Sequence, residues 1–218
     1  MTRMIIGLVA ISALISPTVH AVDNSISGRV GTLGIGGEVD FRFNQRFGAR
    51  IQLNGLSVSY DTTESDIRYD LGLALQTFGV LADWYPTGHR FRLTAGLYHN
   101  GSELVGIAAT QTSYTIGNTS YTPADIGTLR ASIGFESAAW YLGIGYARIP
   151  EGSGWGWNFD LGALFSGEPI PALESQGGLL SSSAQLQNDI QLEEQQLQDD
   201  MSDFDVYPVI TLGISYSF

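Results

Sequence analysis

From Gly28 onward the sequence alternates apolar with small or polar residues in short runs broken by turn residues. That two-residue period belongs to strands with unlike faces. The clearest run is the last: Ile210, Leu212, Ile214, Tyr216 and Phe218 fall on one face, and Thr211, Gly213, Ser215 and Ser217 on the other. Trp155, Trp157, Phe159, Leu161, Ala163 and Phe165 repeat the pattern, as do Leu33 to Phe43 and Phe91 to Leu97. One side of each suits lipid and the other a polar interior. Beyond residue 15 no run approaches the ~18 apolar residues of a membrane helix. A chain of this kind that enters a membrane does so as a closed barrel, the one sheet form without an unsatisfied edge.

The runs divide into eight strands, near 25–31, 32–43, 47–60, 66–85, 90–104, 128–148, 155–166 and 206–218. Short turns at Asn44-Gln45-Arg46, Pro86-Thr87-Gly88 and Pro150–Gly154 alternate with longer stretches at Asp61–Ser65, Val105–Gly127 and Glu168–Asp203. Short periplasmic turns and long outer loops are the habit of outer-membrane barrels. Phe43, Phe47, Trp84, Tyr85, Phe91, Trp155, Trp157 and Phe218 lie near the short turns or the last residue, where a headgroup-level girdle would place them.

Three strands change phase partway. In 47–60 the apolar set shifts from Phe47, Ala49, Ile51 and Leu53 to Leu56, Val58 and Tyr60, and 66–85 and 128–148 shift likewise. A β-bulge at each place is one explanation. Continuous strands that leave the lipid are the simpler one, because the environment inverts outside the membrane. On that basis Leu56, Val58, Leu71, Leu73, Ile133 and Phe135 are expected to form an apolar core that closes the extracellular mouth. The positions expected to face inward within the membrane are Arg29, Glu38, Asp40, Arg42, Arg50, Asp83, Arg92 and Asp160. An eight-stranded barrel is only wide enough for its own side chains, and buried charges must be paired. A salt-bridge network plugging the lumen is one reading. The other is a charged constriction that passes a small zwitterionic solute, with glycines such as 34, 36, 96, 143, 145, 162 and 213 leaving room.

Met1-Thr2-Arg3, an apolar run from Met4 to Ile15, Pro17 and Val19-His20-Ala21 read as a signal peptide, residues 1–21, cleaved after Ala21. Residues 22–218 then form the barrel domain. The net charge of −12, with ten basic residues, argues against nucleic acid as a partner. There is no cysteine, hence no disulfide framework and no thiolate metal site. Only His89 and His99 outlast the expected cleavage, too far apart for a metal, and no cofactor is expected. His99, Ser102 and Glu103 have the residue types of a lipid-modifying enzyme. Alternation sends Ser102 to the face opposite His99 and Glu103, so no catalytic residues and no enzyme are expected. Leu186, Ile190, Leu197 and Met201 recur at helical spacing within 184–204, and Ser182 with Gln185 has the spacing of a capping box. This helix is acidic, with Glu193, Glu194, Asp199 and Asp200. It is expected to lie over the mouth with its charges in solvent; bridging through divalent cations to lipopolysaccharide phosphates is the weaker alternative.

The segments Tyr69–Pro86, Tyr141–Gly145 with Trp155–Gly167, and the acidic helix leading to Val206-Tyr207-Pro208-Val209 and the terminal strand resemble small proteobacterial outer-membrane barrels of the OmpA/OmpW/opacity-protein superfamily. They are most similar to the CarO type. The resemblance covers nearly all of 22–218 and implies an all-β, eight-stranded antiparallel transmembrane barrel in the bacterial outer membrane. It implies that Tyr216 and Phe218 form the signal read by the barrel-insertion machinery. Outer-membrane lipid and lipopolysaccharide become the expected surroundings, and a small solute such as a basic amino acid the expected substrate. Its motifs are structural and carry no catalytic residues. A surface-interaction barrel with a plugged lumen stands beside the channel as the second expectation.

Overall fold

The computed structural model describes residues 23–64, 67–108, 113–148, 150 and 152–218. The expected signal peptide lies outside them, as does Ser65. In chain order the elements are β1 (Asp23–Gly31), β2 (Gly34–Arg42), β3 (Phe47–Glu64), β4 (Ile67–Trp84), β5 (Phe91–Asn100), β6 (Glu103–Ala108), β7 (Tyr114–Ile116), β8 (Thr119–Tyr121), α1 (Pro123–Ile126), β9 (Gly127–Gly134), β10 (Ala138–Arg148), β11 (Gly154–Phe165), β12 (Ile170–Gly177), α2 (Ala184–Asp200) and β13 (Val206–Ser217).

Strands β1, β2, β3, β4, β5, β10, β11 and β13 pair antiparallel in that order, and β13 pairs back onto β1. A row of partners beginning at Tyr216 on β13 passes through Ile26, Val39, Ile51, Val80, Leu97, Trp140 and Phe165. It returns to β13 at Val206, ten residues from its start (216 − 206). The sheet is therefore closed, with a stagger that tilts its strands by about 40°. Every side chain in that ring is apolar or aromatic and points outward. Ile210, Leu212, Ile214, Leu142, Val80 and Trp140 are likewise exposed on the outside, as a surface made for acyl chains requires. No helix among the described residues is long and apolar enough to cross a membrane; the strands do the crossing.

Five of the strands rise past the rim. β3 and β4 continue in one register from Phe47↔Trp84 to Glu64↔Ile67. β6 prolongs β5, β9 precedes β10 and β12 follows β11, so the order β3-β4-β6-β9-β12 stands above one side of the barrel. On the other side β1 and β2 turn back at Thr32-Leu33, and β13 begins at Val206. The upper sheet inherits the barrel's parity. Leu56, Val58, Leu71, Leu73 and Ile133 share the inner face with Leu81 and Asp83, while Ser57, Ser59, Ser132 and Glu174 face out. The phase shift in β3 and β4 therefore needs no bulge. Above the lipid, the apolar residues have moved to the inner face.

Several boundaries differ from the sequence reading. Leu33 sits in the first turn and points inward, 4% exposed, instead of facing lipid. The stretch 105–127 holds the end of β6, the small hairpin β7–β8 and the single turn α1. The stretch 168–203 holds β12 as well as α2.

Candidate functional site

The lumen is filled in three layers, each built from the inward residues of several strands. At the short-turn end lies Arg42, whose Nη2 donates to the carbonyls of Gln45 (3.1 Å), Gly88 (3.0 Å) and His89 (3.2 Å). Its guanidinium carbon is 4.1 Å from the centre of the Tyr85 ring. The turns Asn44–Arg46 and Pro86–His89 thus supply the acceptors that hold the Arg42 guanidinium across the opening.

The middle layer is ionic. Arg50, with no solvent exposure, forks onto Asp83, Nε to Oδ2 at 2.6 Å and Nη2 to Oδ1 at 3.0 Å. Its Nη1 reaches Glu38 at 2.8 Å and Asp160 at 3.3 Å. Arg92 donates to both oxygens of Asp160, at 2.8 and 2.9 Å. Arg29 donates to Asp160 at 2.6 Å, and also to Glu38 and to Thr211. Asp160 is thus the hub of three guanidiniums. Asp40 stands apart at 3.9 Å from Arg92. Of the eight charges expected in the lumen, six are joined in this cluster and Asp40 lies at its margin. Arg42 is inward and buried but belongs to the layer below.

Above the ions, Leu33, Leu81, Tyr98, Ala139, Tyr141, Leu164 and Val209 pack into an apolar plug. Tyr98 donates to Gln52, and Gln52 in turn to Glu38, so plug and ion layer are tied together. Tyr98 and Tyr141 meet edge-on, ring centres 5.7 Å apart. This plug was not legible in the sequence, because its members come from five strands and one turn and each looks unremarkable alone. The room expected beside the glycines is taken up by side chains. A Cβ at Gly145 would lie 2.4 Å from Asp160, and one at Gly143 or Gly162 would strike the Tyr141 hydroxyl at 2.4 or 2.5 Å. The space those glycines open is occupied by the side chains that fill the lumen.

The expected closure at the mouth is not formed. Leu71 and Leu73 are 45% and 38% exposed, and Leu56, Val58, Ile133 and Phe135 are only half-buried. The reason is topological: β13, β1 and β2 stop at the rim, so among the described residues no strand stands across the mouth from Leu56, Val58, Leu71 and Leu73, and only the β9–β12 end of the inner face, at Leu129 and Leu173, is packed against other elements. Closure occurs one storey lower, in the plug.

At the far edge of the upper sheet, α2 buries Leu186 and Ile190 against Tyr114, Ile116, Tyr121 and Ile126, with Leu129 and Leu173 alongside. Its N-cap is Ser183, whose hydroxyl accepts the Leu186 N–H (3.3 Å), not Ser182. Three of its carboxylates are structural. Asp189 accepts the Tyr121 hydroxyl, Glu193 the Gly117 N–H (2.9 Å) and Glu194 the Leu173 N–H (2.7 Å). The last bond satisfies a donor on the outer edge of β12. The expectation of a wholly solvated acidic face is corrected at Glu193 and Glu194. His99 pairs with Phe78 and Ala138 on the outward face, and the Ser102 hydroxyl accepts the Gln76 N–H at 3.2 Å.

No protein-family model matches the sequence, and no curated protein does. Solved structures do match. CarO2 of Acinetobacter baumannii aligns with a TM-score of 0.59 at 20% identity, over 91% of this chain and all of that one. CarO of the same organism aligns with a TM-score of 0.55 at 22% identity, over 93% of this chain and all of the other. At these identities the shared property is the fold, and the chain is a barrel of the CarO type in its architecture.

Proposed function

We propose that this protein is an outer-membrane barrel whose lumen is shut and which works through its long-loop end. The carrying observation is the unbroken filling of the lumen: Arg42 on its turn carbonyls, then the network centred on Asp160, then the plug of Leu33, Leu81, Leu164 and Val209. A solute would have to displace paired, buried charges, at a cost of several kcal/mol per ion. The lipid-facing ring, the aromatic positions near the short turns and the CarO-type fold support the outer membrane as its place, with lipopolysaccharide around the upper sheet. The outward His99 and the Ser102 hydroxyl held on the Gln76 N–H support contact over catalysis.

Purified protein reconstituted in planar bilayers and in liposomes tests this reading. The expected outcome is conductance at the level of protein-free bilayers, and no swelling in arginine, lysine, glycine or glutamate. Swelling in any one of them above the protein-free control would overturn the reading in favour of a narrow amino-acid channel.

A further inference from the structure

The two edges of the upper sheet are treated unlike each other. β12 is covered by α2, and Glu194 takes up its Leu173 N–H. β3 is not covered in this way. Its pairing with β2 ends at Ile35↔Gly55, and beyond Gly55 its partner among the described residues is β4 alone. The groups left over can be named. The Phe43 N–H bonds to the Phe47 carbonyl (3.0 Å) and the Tyr85 N–H to the Arg46 carbonyl (2.8 Å). Odd residues of β3 therefore turn their backbone groups toward β2 and even residues toward β4, since an antiparallel strand alternates them. Above the rim this leaves the N–H and C=O of Ser57 and Ser59 pointing off the sheet.

Protein edges are normally blunted by Lys, Pro, a bulge or a covering element. Leu56-Ser57-Val58-Ser59-Tyr60 has none of the first two, and its register with β4 is unbroken. Beside that edge lies an apolar face: Leu56, Val58 and Tyr60, with Leu71, Leu73 and Leu104 next to them, of which Tyr60 is 55% exposed. The chain is acidic, with a net charge of −12, no basic residue follows Arg148, and α2 at this same end carries Glu193, Glu194, Asp199 and Asp200.

We propose that the open edge of β3 at 56–60 takes up an extended, cationic, alternately apolar peptide segment as an added strand. The backbone of Ser57 and Ser59 supplies its hydrogen bonds, the Leu56–Val58–Tyr60 face receives every second side chain, and the acidic end of the barrel attracts its charge. This is strand addition, in which main-chain bonds give affinity and alternate side chains give selectivity. A second copy in the same membrane does not fit the edge. With strands tilted about 40°, a two-fold axis along the membrane normal crosses the two β3 strands at about 80° and cannot pair them antiparallel. The inference deepens the reading of the long-loop end as the working surface. Solute flux would overturn that reading whether or not a peptide binds.

The test uses the full barrel in zwitterionic nanodiscs and a fluorescent ten-residue peptide alternating Val and Arg, read by anisotropy against empty discs. The parent peptide is expected to bind. The same peptide N-methylated at alternate residues, which keeps its charge and removes donors, is expected to bind about tenfold more weakly, as for the loss of one or two hydrogen bonds. S57P and S59P are expected to weaken binding similarly, because each removes a donor facing away from β4. S57A and S59A are expected to leave it unchanged. Should a proline variant fail to fold by circular dichroism, the N-methylated peptide carries the test unaided. Equal binding of parent and N-methylated peptides, equal binding of a Val-Glu peptide, or no binding above empty discs would each overturn the proposal. A dimer in sedimentation that S59P dissolves would overturn it too, assigning the edge to self-pairing.

Discussion

Arg50 is the residue on which the lumen's balance depends most visibly. It has no solvent exposure and touches Asp83, Glu38, Asp160 and Thr94. Replacing it by Met would leave three carboxylates short of a cation in a low-dielectric space, a loss of about 3–5 kcal/mol. Urea unfolding in lipid bilayers, followed by Trp fluorescence, measures that loss. Removing its partner as well should hurt less than the sum: R50M with D83L is expected to be milder than the two single losses added, by about 1–3 kcal/mol. The identity of the ionic residues was legible because strand parity alone decides which side chains face in. Their partners were not. That Asp160 collects three guanidiniums while Arg42 turns to backbone carbonyls depends on the stagger of the closed sheet and on the shape of two turns. Neither leaves a mark on the local pattern.

Among the elements, α2 shows most clearly what a local pattern can and cannot specify. Its 3.6-residue period marks Leu186 and Ile190 as a buried stripe, and they are buried. The surface they pack on was illegible, since β7 and β8 are three residues each, too short for a period to show. The cap lies one residue later than its spacing suggested because three serines, Ser181 to Ser183, stand in a row and a neighbour can accept the same amide of the first turn. Ser183→Ala should cost about 1 kcal/mol of local stability, measured as faster amide exchange at Leu186 and its neighbours. Ile190→Asp goes further, placing a charge where a side chain is 4% exposed. The helix is then expected to come off β12, so that a glutamate-specific protease cuts at Glu193 or Glu194 while the barrel's unfolding midpoint stays put. A midpoint that falls with the helix would show the two to be one cooperative unit.

For the whole molecule, alternation read most of the outside, but Leu33 points inward, Tyr85 of the expected girdle is buried against Arg42, and the inside closure was misplaced. A two-residue period tells which face a residue occupies but not how many strands continue past the rim, and with five continuing instead of eight the mouth stays open above the plug. On the proposed reading the lumen is shut at the level of Leu81 and Leu164, beneath an open half-cup. The natural chain has no cysteine, so single cysteines can report this without background. In intact vesicles, a charged thiol reagent is expected to label a cysteine at Leu73 quickly. It should fail to label cysteines at Leu81 and Leu164, inside the plug, and at Leu142 and Leu212, against lipid. Rapid labelling at position 81 or 164 by the water-soluble reagent would contradict the account, because it would reveal a water path where these side chains are packed together.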